Sequence, residues 1–402
     1  MTPLGRGCLG VVLLPIAGLV ALAGIAVMTA ATTAASGLGW TLVACAVVTA
    51  ASALRLVDRG LRQTVQIGTP ISSPTVATRV RSAGPALLAY ALVLAAGTAA
   101  SLAGADGLAV LVPLHVLAAL LPARILTRHA GWRQGDVPAR LIGRGLAWGG
   151  IGATAVAFAA ELIMGTAFAL VVWLALGATP GAREAVQDVV VGLFATLTAA
   201  RQATPDSIEA LPLAPLLRPS IVVASVGLLG LVGPLVEELA KLAGVTALRP
   251  RSHAHAFLAG VSVGAGFGVL EALLTGMASL GPAWGLAIVA RGAATLMHAT
   301  ASGIAAIGWY RLSRGEPWPG VSRIGLAVAL HAVWNLGVVG AVLSMVADAE
   351  GVGPAWLEQL ALASPLAVTA VFAFVLFAFT GIARGTGSAA PSAQPPAGSA
   401  GR

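Results

Sequence analysis

Charge is what this sequence lacks. Of its 402 residues only 9% are Asp, Glu, Lys or Arg, while 58% are hydrophobic. A soluble globular chain carries about 25% charged residues, so a soluble enzyme or binding module is excluded, and no segment reads as a separate soluble domain. Cysteine is nearly absent. Cys8 and Cys45 both lie in apolar stretches, which excludes a disulfide framework and a cysteine-ligated metal site. Lysine is rarer still: Lys241 is the sole lysine, and every other basic side chain is arginine or histidine. The net charge is +8, but it does not point to nucleic acid. The arginines sit in short links beside apolar runs, the bias that orients membrane helices.

What is present is a series of apolar runs, at about 9–30, 36–55, 83–104, 106–123, 150–177, 221–247, 255–279, 283–310, 324–347 and 357–382. At ~1.5 Å rise per residue each is long enough to cross a ~30 Å hydrocarbon core. The expected fold class is all-α: a polytopic transmembrane helix bundle of about ten spans. The first run follows Arg6 and is long for a signal peptide, so a retained helix is expected. Basic residues alternate from link to link. Segment 55–82 holds Arg55, Arg59, Arg62, Arg79 and Arg81, and segment 124–149 holds Arg124, Arg128, Arg133, Arg140 and Arg144. Segments 248–254 and 311–323 hold Arg249, Arg251, Arg311, Arg314 and Arg323. The links at 104–107 and 279–282 carry no basic residue, and 347–356 is acidic. This alternation places both termini in the cytoplasm.

The expected organisation is an N-terminal five-span membrane region (1–178), an extracytoplasmic loop with a short amphipathic helix (179–220) and a four-span core (221–347). A last transmembrane helix (348–384) and a disordered Gly/Ser/Ala/Pro tail (385–402) follow.

The ionisable groups within spans are concentrated in that core. An ionisable side chain at the bilayer centre costs about 2.5–3.5 kcal/mol and is by default a functional candidate. VGPLVEELAKLAG, residues 232–244, carries Glu237, Glu238 and Lys241. Glu237 and Lys241 are four apart and share a helix face, whereas Glu238 is expected to point elsewhere. The seventh run holds Gly260, Gly264 and Gly268 at four-residue spacing, a stripe that admits close helix approach, and Glu271 continues that face one turn beyond Phe267. The eighth run has Arg291, His298 and Ser302, and the ninth has His331 and Asn335. Successive members of the set are separated by 33, 27 and 33 residues, one membrane crossing each. Counted from the cytoplasmic ends, Glu237, Glu238 and His331 lie about 12–15 Å deep, and Glu271 and His298 about 20–24 Å. Lone His115 and Glu161 read as structural, and His253 and His255 as solvated loop residues.

Two carboxylates, two imidazoles and an amide gathered in a low-dielectric cavity can activate water. A buried Glu can act as general base, and His and Asn can donate to the oxyanion of a tetrahedral intermediate. The same Glu/His set can instead bind zinc, from Glu237, Glu271, His298 and His331, and activate water on the metal. A different class is also compatible: intramembrane Glu, Lys and His form the proton relays of ion-coupled transporters.

EELAK at 237–241, FGVLE at 267–271, His298, and HAVWN at 331–335 occur in that order on adjacent spans. This set resembles the PrsW family of intramembrane proteases, relatives of the CAAX prenyl proteases and the bacteriocin-processing group. The resemblance covers about 221–347. It implies a glutamic-type or metal-assisted endopeptidase, with Glu237, Glu238, Glu271, His298 and His331 catalytic and Lys241, Asn335, Phe267 and Arg291 supporting. The cofactor it allows is zinc. The partners it implies are a membrane-anchored protein substrate, of which anti-sigma factors are an example, and the lipid bilayer. It also implies a multi-pass location in a bacterial cell membrane.

Overall fold

The computed structural model describes residues 84–104, 107–131, 139–161, 225–276, 283–349 and 355–387, with isolated positions 163, 217, 222 and 351. The first two expected spans, the loop at 179–220 apart from Leu217, Cys8, Cys45 and the tail beyond 387 lie outside the described residues. Within them the chain is all-helical. Eight α-helices follow in order: α1 (Gly84–Leu102), α2 (Val112–Gly131), α3 (Ala139–Ala147), α4 (Gly233–Leu248), α5 (His253–Gly276), α6 (Trp284–Leu312), α7 (Pro317–Ala349) and α8 (Ala355–Gly387). Widened π turns precede α2 (Gly107–Leu111), extend α3 (Trp148–Ala153) and precede α4 (Val226–Val232).

Among the described residues, six stretches are long and apolar enough to cross a membrane: Gly84–Leu102, Ala109–Gly131, Arg140–Glu161, His253–Leu274, Pro317–Asp348 and Ala363–Ala383. These correspond to six of the expected runs. Helices α4 and α6, both expected as spans, are too polar or too short to be among them, and their packing explains why this is tolerated. Every residue of α6 from Ala294 to Gly308 is buried, and Glu238 and Lys241 of α4 are fully enclosed. Their ionisable groups face protein rather than lipid, where an unpaired charge is most expensive.

Several helix ends differ from the sequence expectation. Arg124 and Arg128 lie inside α2, Arg140 and Arg144 inside α3, and Arg323 inside α7, not in connecting loops. Long arginine stems let the guanidinium reach the interface from within a helix, so a basic residue does not by itself mark a loop. The fifth span begins near 139 rather than 150. His253 and His255 form the first turn of α5, and the exposed His253 ring packs edge-on against Tyr310 at 4.9 Å. Helix α4 ends where Arg249 adopts a left-handed conformation with φ 49°, and Pro250 prevents its continuation.

Helices α5 and α6 form the centre: α2 and α3 pack against α5, α7 against α6 and α8 against α7, while α4 touches α5, α6 and α7. The glycine stripe sets their contact. A Cβ on Gly264 would collide with the carbonyl of His298, and one on Gly268 would lie 2.8 Å from the Cα of Thr295. A second small face of α5 receives α3, where a Cβ on Gly149 would strike the Val263 carbonyl. In lipid, such close backbone approach is a principal source of helix association. Here it brings Glu271 of α5 beside His298 of α6.

Candidate active site

Helix α4 supplies the centre of the polar cluster. Lys241 Nζ donates to Glu237 Oε2 at 3.1 Å and to Glu238 Oε1 at 2.9 Å. The spacings are four and three residues, so one lysine one turn on reaches both acids. Glu238 therefore does not point away from the lysine, as helix-wheel reasoning suggested; it turns into the protein. Its Oε1 also receives His331 Nδ1 at 3.0 Å, and its Oε2 receives the Ser302 hydroxyl at 3.1 Å. Glu238 is fully committed. Glu237 keeps 14% of its side chain accessible, and among the described residues only Lys241 donates to it.

Lys241 has two further neighbours. Its Nζ lies 3.0 Å from His298 Nδ1 and 3.9 Å from the centroid of the Phe267 ring. The aromatic face attracts the ammonium, which explains why FGVLE places a phenylalanine one turn before Glu271. The same ring packs against His298 with centroids 5.1 Å apart.

The histidines are held from behind. His298 Nε2 lies 2.7 Å from Glu271 Oε2, and Arg291 Nη1 donates to the other oxygen of Glu271 at 2.8 Å. Carboxylates accept only, so the shared protons lie on Nε2 of His298 and on Nδ1 of His331. The opposite nitrogens, His298 Nδ1 and His331 Nε2, then present lone pairs. Both face Glu237 Oε2, at 3.9 and 3.6 Å. The imidazoles meet edge to face, with centroids 4.7 Å apart and planes at 86°.

Three acceptors thus converge, and one of them, His331 Nε2, is buried without a hydrogen-bond partner among the described residues. Glu237, His298 and His331 offer ligand atoms all within 4.8 Å of one another. Ligands ~2.0–2.2 Å from a tetrahedral zinc lie roughly 3.3–3.6 Å apart, and Glu237 Oε2 lies 3.6 and 3.9 Å from the two nitrogens. A carboxylate behind each histidine is the outer shell that fixes the tautomer of a metal-binding imidazole. The donor set fits a zinc ion. Glu271 stands behind His298 and is not a member of the set, in contrast to the sequence expectation.

The five residues expected to be catalytic are therefore brought into one network, together with Lys241, Phe267 and Arg291. Glu271 and His298, expected to lie deeper than the other three, are joined to them through Lys241, which reaches both His298 and the acids of α4. Asn335 is placed differently. Its amide donates to the Leu229 carbonyl at 3.0 Å, one π turn ahead of α4. Ser302 joins the network, signalled in sequence only by its four-residue spacing from His298.

Two residues of the Arg140–Glu161 span border the network: Trp148 carried no signal in the sequence, and Glu161 read there as structural. Trp148 donates from its indole to the Ala240 carbonyl at 3.2 Å, and its ring occupies the space that a side chain at Gly244 would need. Glu161 has an oxygen 3.6 Å from the position of a Cβ on Gly233, one turn before Glu237. Its carboxylate lies in the electrostatic field of Glu237, Lys241, His331 and Glu271.

Residues 189–380 match the model of the PrsW family intramembrane metalloproteases. The match is wider than the motif-bearing stretch 221–347 and takes in most of α8, an apolar helix that packs against α7 where Gly337 faces Val368. Comparison with curated proteins and with solved structures gives no match. The motifs, the six apolar helices and the family match agree on a PrsW-like intramembrane protease, the match covering residues 189–380, just under half of the chain.

Proposed function

We propose that the chain hydrolyses peptide bonds of membrane-anchored protein substrates at the Glu237–His298–His331 centre, as an endopeptidase of regulated intramembrane proteolysis whose substrates include anti-sigma-type proteins. The observation that carries this reading is the convergence of Glu237 Oε2 with the two lone-pair nitrogens. A zinc ion held by Glu237, His298 and His331 would supply the Lewis acid that makes water nucleophilic near neutral pH.

The roles of the chain's own residues follow from their contacts. Glu238 fixes the His331 ring through Nδ1, and Glu271, anchored by Arg291, fixes the His298 ring through Nε2. Glu237 is the partly accessible acid, and with its Oε2 turned to the histidines and Lys241, its Oε1 is the oxygen placed to take a proton from the reacting water and return it to the leaving amine. Lys241 keeps positive charge beside the acid pair, its three N–H donors held by Glu237, Glu238 and His298. Enclosure of Glu238, Lys241, His298 and His331 strengthens each of these interactions, because little water competes.

The ion-coupled transporter reading gains nothing from a match to a protease family. The test is cleavage of a single-span membrane protein by the purified chain in detergent or proteoliposomes. Glu237→Ala should abolish cleavage; a Glu237→Ala protein that cut as fast as wild type would overturn the assignment.

A further inference from the structure

The π turn before α4 deprives the Leu229 carbonyl of its regular backbone donor. In an α-helix the Leu229 carbonyl would accept from the N–H of residue 233. Here the Gly233 N–H bonds instead to the Leu228 carbonyl, five residues back. In that widened register the partner of Leu229 would be residue 234. Residue 234 is proline, which has no N–H. An unsatisfied carbonyl in a membrane interior is costly. The donor that meets it is Asn335 Nδ2 at 3.0 Å.

The geometry points to Asn335 as a positioning residue: by satisfying the Leu229 carbonyl that Pro234 leaves open, it fixes the turn from which Glu237 and Glu238 project. Asn335 lies one turn beyond His331 on α7, so α7 grips the Glu-bearing segment at two points, His331 on Glu238 and Asn335 on Leu229. Packing between them reinforces the grip, because the Leu336 side chain fills the space that a Cβ on Gly230 would need. Glu237 and Glu238 follow Pro234 by three and four residues, so a shift of the turn moves both carboxylates against the histidines. The asparagine of HAVWN and the proline of VGPLVEE are thereby two halves of one device.

The inference deepens the proteolytic reading and rests on it for its activity readout. The experiment is a rescue on the full chain, with two measurements per variant: cleavage kinetics on a single-span substrate, and amide exchange of peptides spanning 229–241. Asn335→Ala, and isosteric Asn335→Asp, which lacks the amide donor, should lower kcat by up to ~100-fold, the cost that a 1 Å misplacement can carry. They should also speed exchange in 229–241. Pro234→Ala restores an N–H within reach of the open turn, so it should be tolerated alone and should return both rate and exchange protection to Asn335→Ala. The proposal is overturned if Asn335→Ala cleaves at the wild-type rate or leaves exchange unchanged. It is equally overturned if Pro234→Ala alone abolishes cleavage, or if the double variant regains protection but no activity, which would put Asn335 in contact with substrate. Exchange is measured without turnover, so a failure of the protease reading itself would appear as variants that differ in exchange while none of them, wild type included, cleaves.

Discussion

His331 holds its Nδ1 3.0 Å from Glu238 Oε1 and turns its Nε2 toward Glu237 Oε2 at 3.6 Å. One imidazole thus joins the two adjacent acids of EELAK and gives them different tasks. Glu238 fixes the ring and is closed off. Glu237 meets the lone pair and stays partly accessible. The same arrangement repeats on His298, with Glu271 behind the ring and Glu237 before it.

Removing the fixing acid should therefore damage metal affinity more than shape. Glu238→Gln keeps the volume but presents an amide that can donate where His331 needs an acceptor. We expect zinc affinity, measured by competition with a chromogenic chelator, to fall about 10–100-fold. Unchanged affinity would argue that the tautomer of His331 is set by something else.

Lys241 stands on two of the three convergent acceptors, and its Nζ lies 3.0 Å from His298 Nδ1. That nitrogen has one lone pair, so it serves either the ammonium or a metal. Lys241→Met removes the buried cation and leaves two adjacent acids unneutralised, a loss of about 3–5 kcal/mol in comparable buried pairs. Zinc should restore part of it. The rise in thermal unfolding midpoint on adding zinc is expected to be larger for Lys241→Met than for wild type. An equal rise in both would show that lysine and metal occupy separate places.

Much of the site was legible in the sequence because each member is a polar residue inside an apolar run, where its cost makes it conspicuous. Glu237, Glu238, Glu271, His298 and His331 were found that way. The direction of Glu238 was not, because a lysine one turn on reaches acids both three and four residues before it, so a helix wheel does not separate them. Trp148 was missed, and Glu161 read as structural, because both lie on a separate helix with no fixed spacing to the motifs. The π turn was invisible as well, although Pro234 was the cue. Helix ends failed where Arg140, Arg144 and Arg323 lie within helices rather than loops.

The outer pair Arg291–Glu271 is different in kind. Both side chains are about a quarter to a third exposed, 27% and 32%, so their ion pair should contribute no more than about 1 kcal/mol to stability. Arg291→Met should leave the unfolding midpoint nearly unchanged while lowering kcat, because Glu271 loses the group that holds it behind His298. A variant that unfolded early but retained its kcat would reverse that assignment.

The glycine stripe makes a sharper structural demand. A methyl group on Gly264 meets the backbone carbonyl of His298, which cannot move without moving the ring. Gly264→Ala should cost about 1–3 kcal/mol through overpacking and should reduce cleavage beyond what that loss explains. Near-normal stability with normal cleavage would show that α5 and α6 can separate without harm.

Glu237, His298 and His331 as a metal-assisted hydrolytic centre is the claim on which the rest depends. It is tested most directly by following cleavage of a single-span substrate by the purified chain while its zinc is removed with a chelator and then returned. Cleavage and zinc content should fall and recover together, with about one zinc per chain at full activity, as expected of a single catalytic site. Cleavage at full rate by zinc-free protein would contradict it.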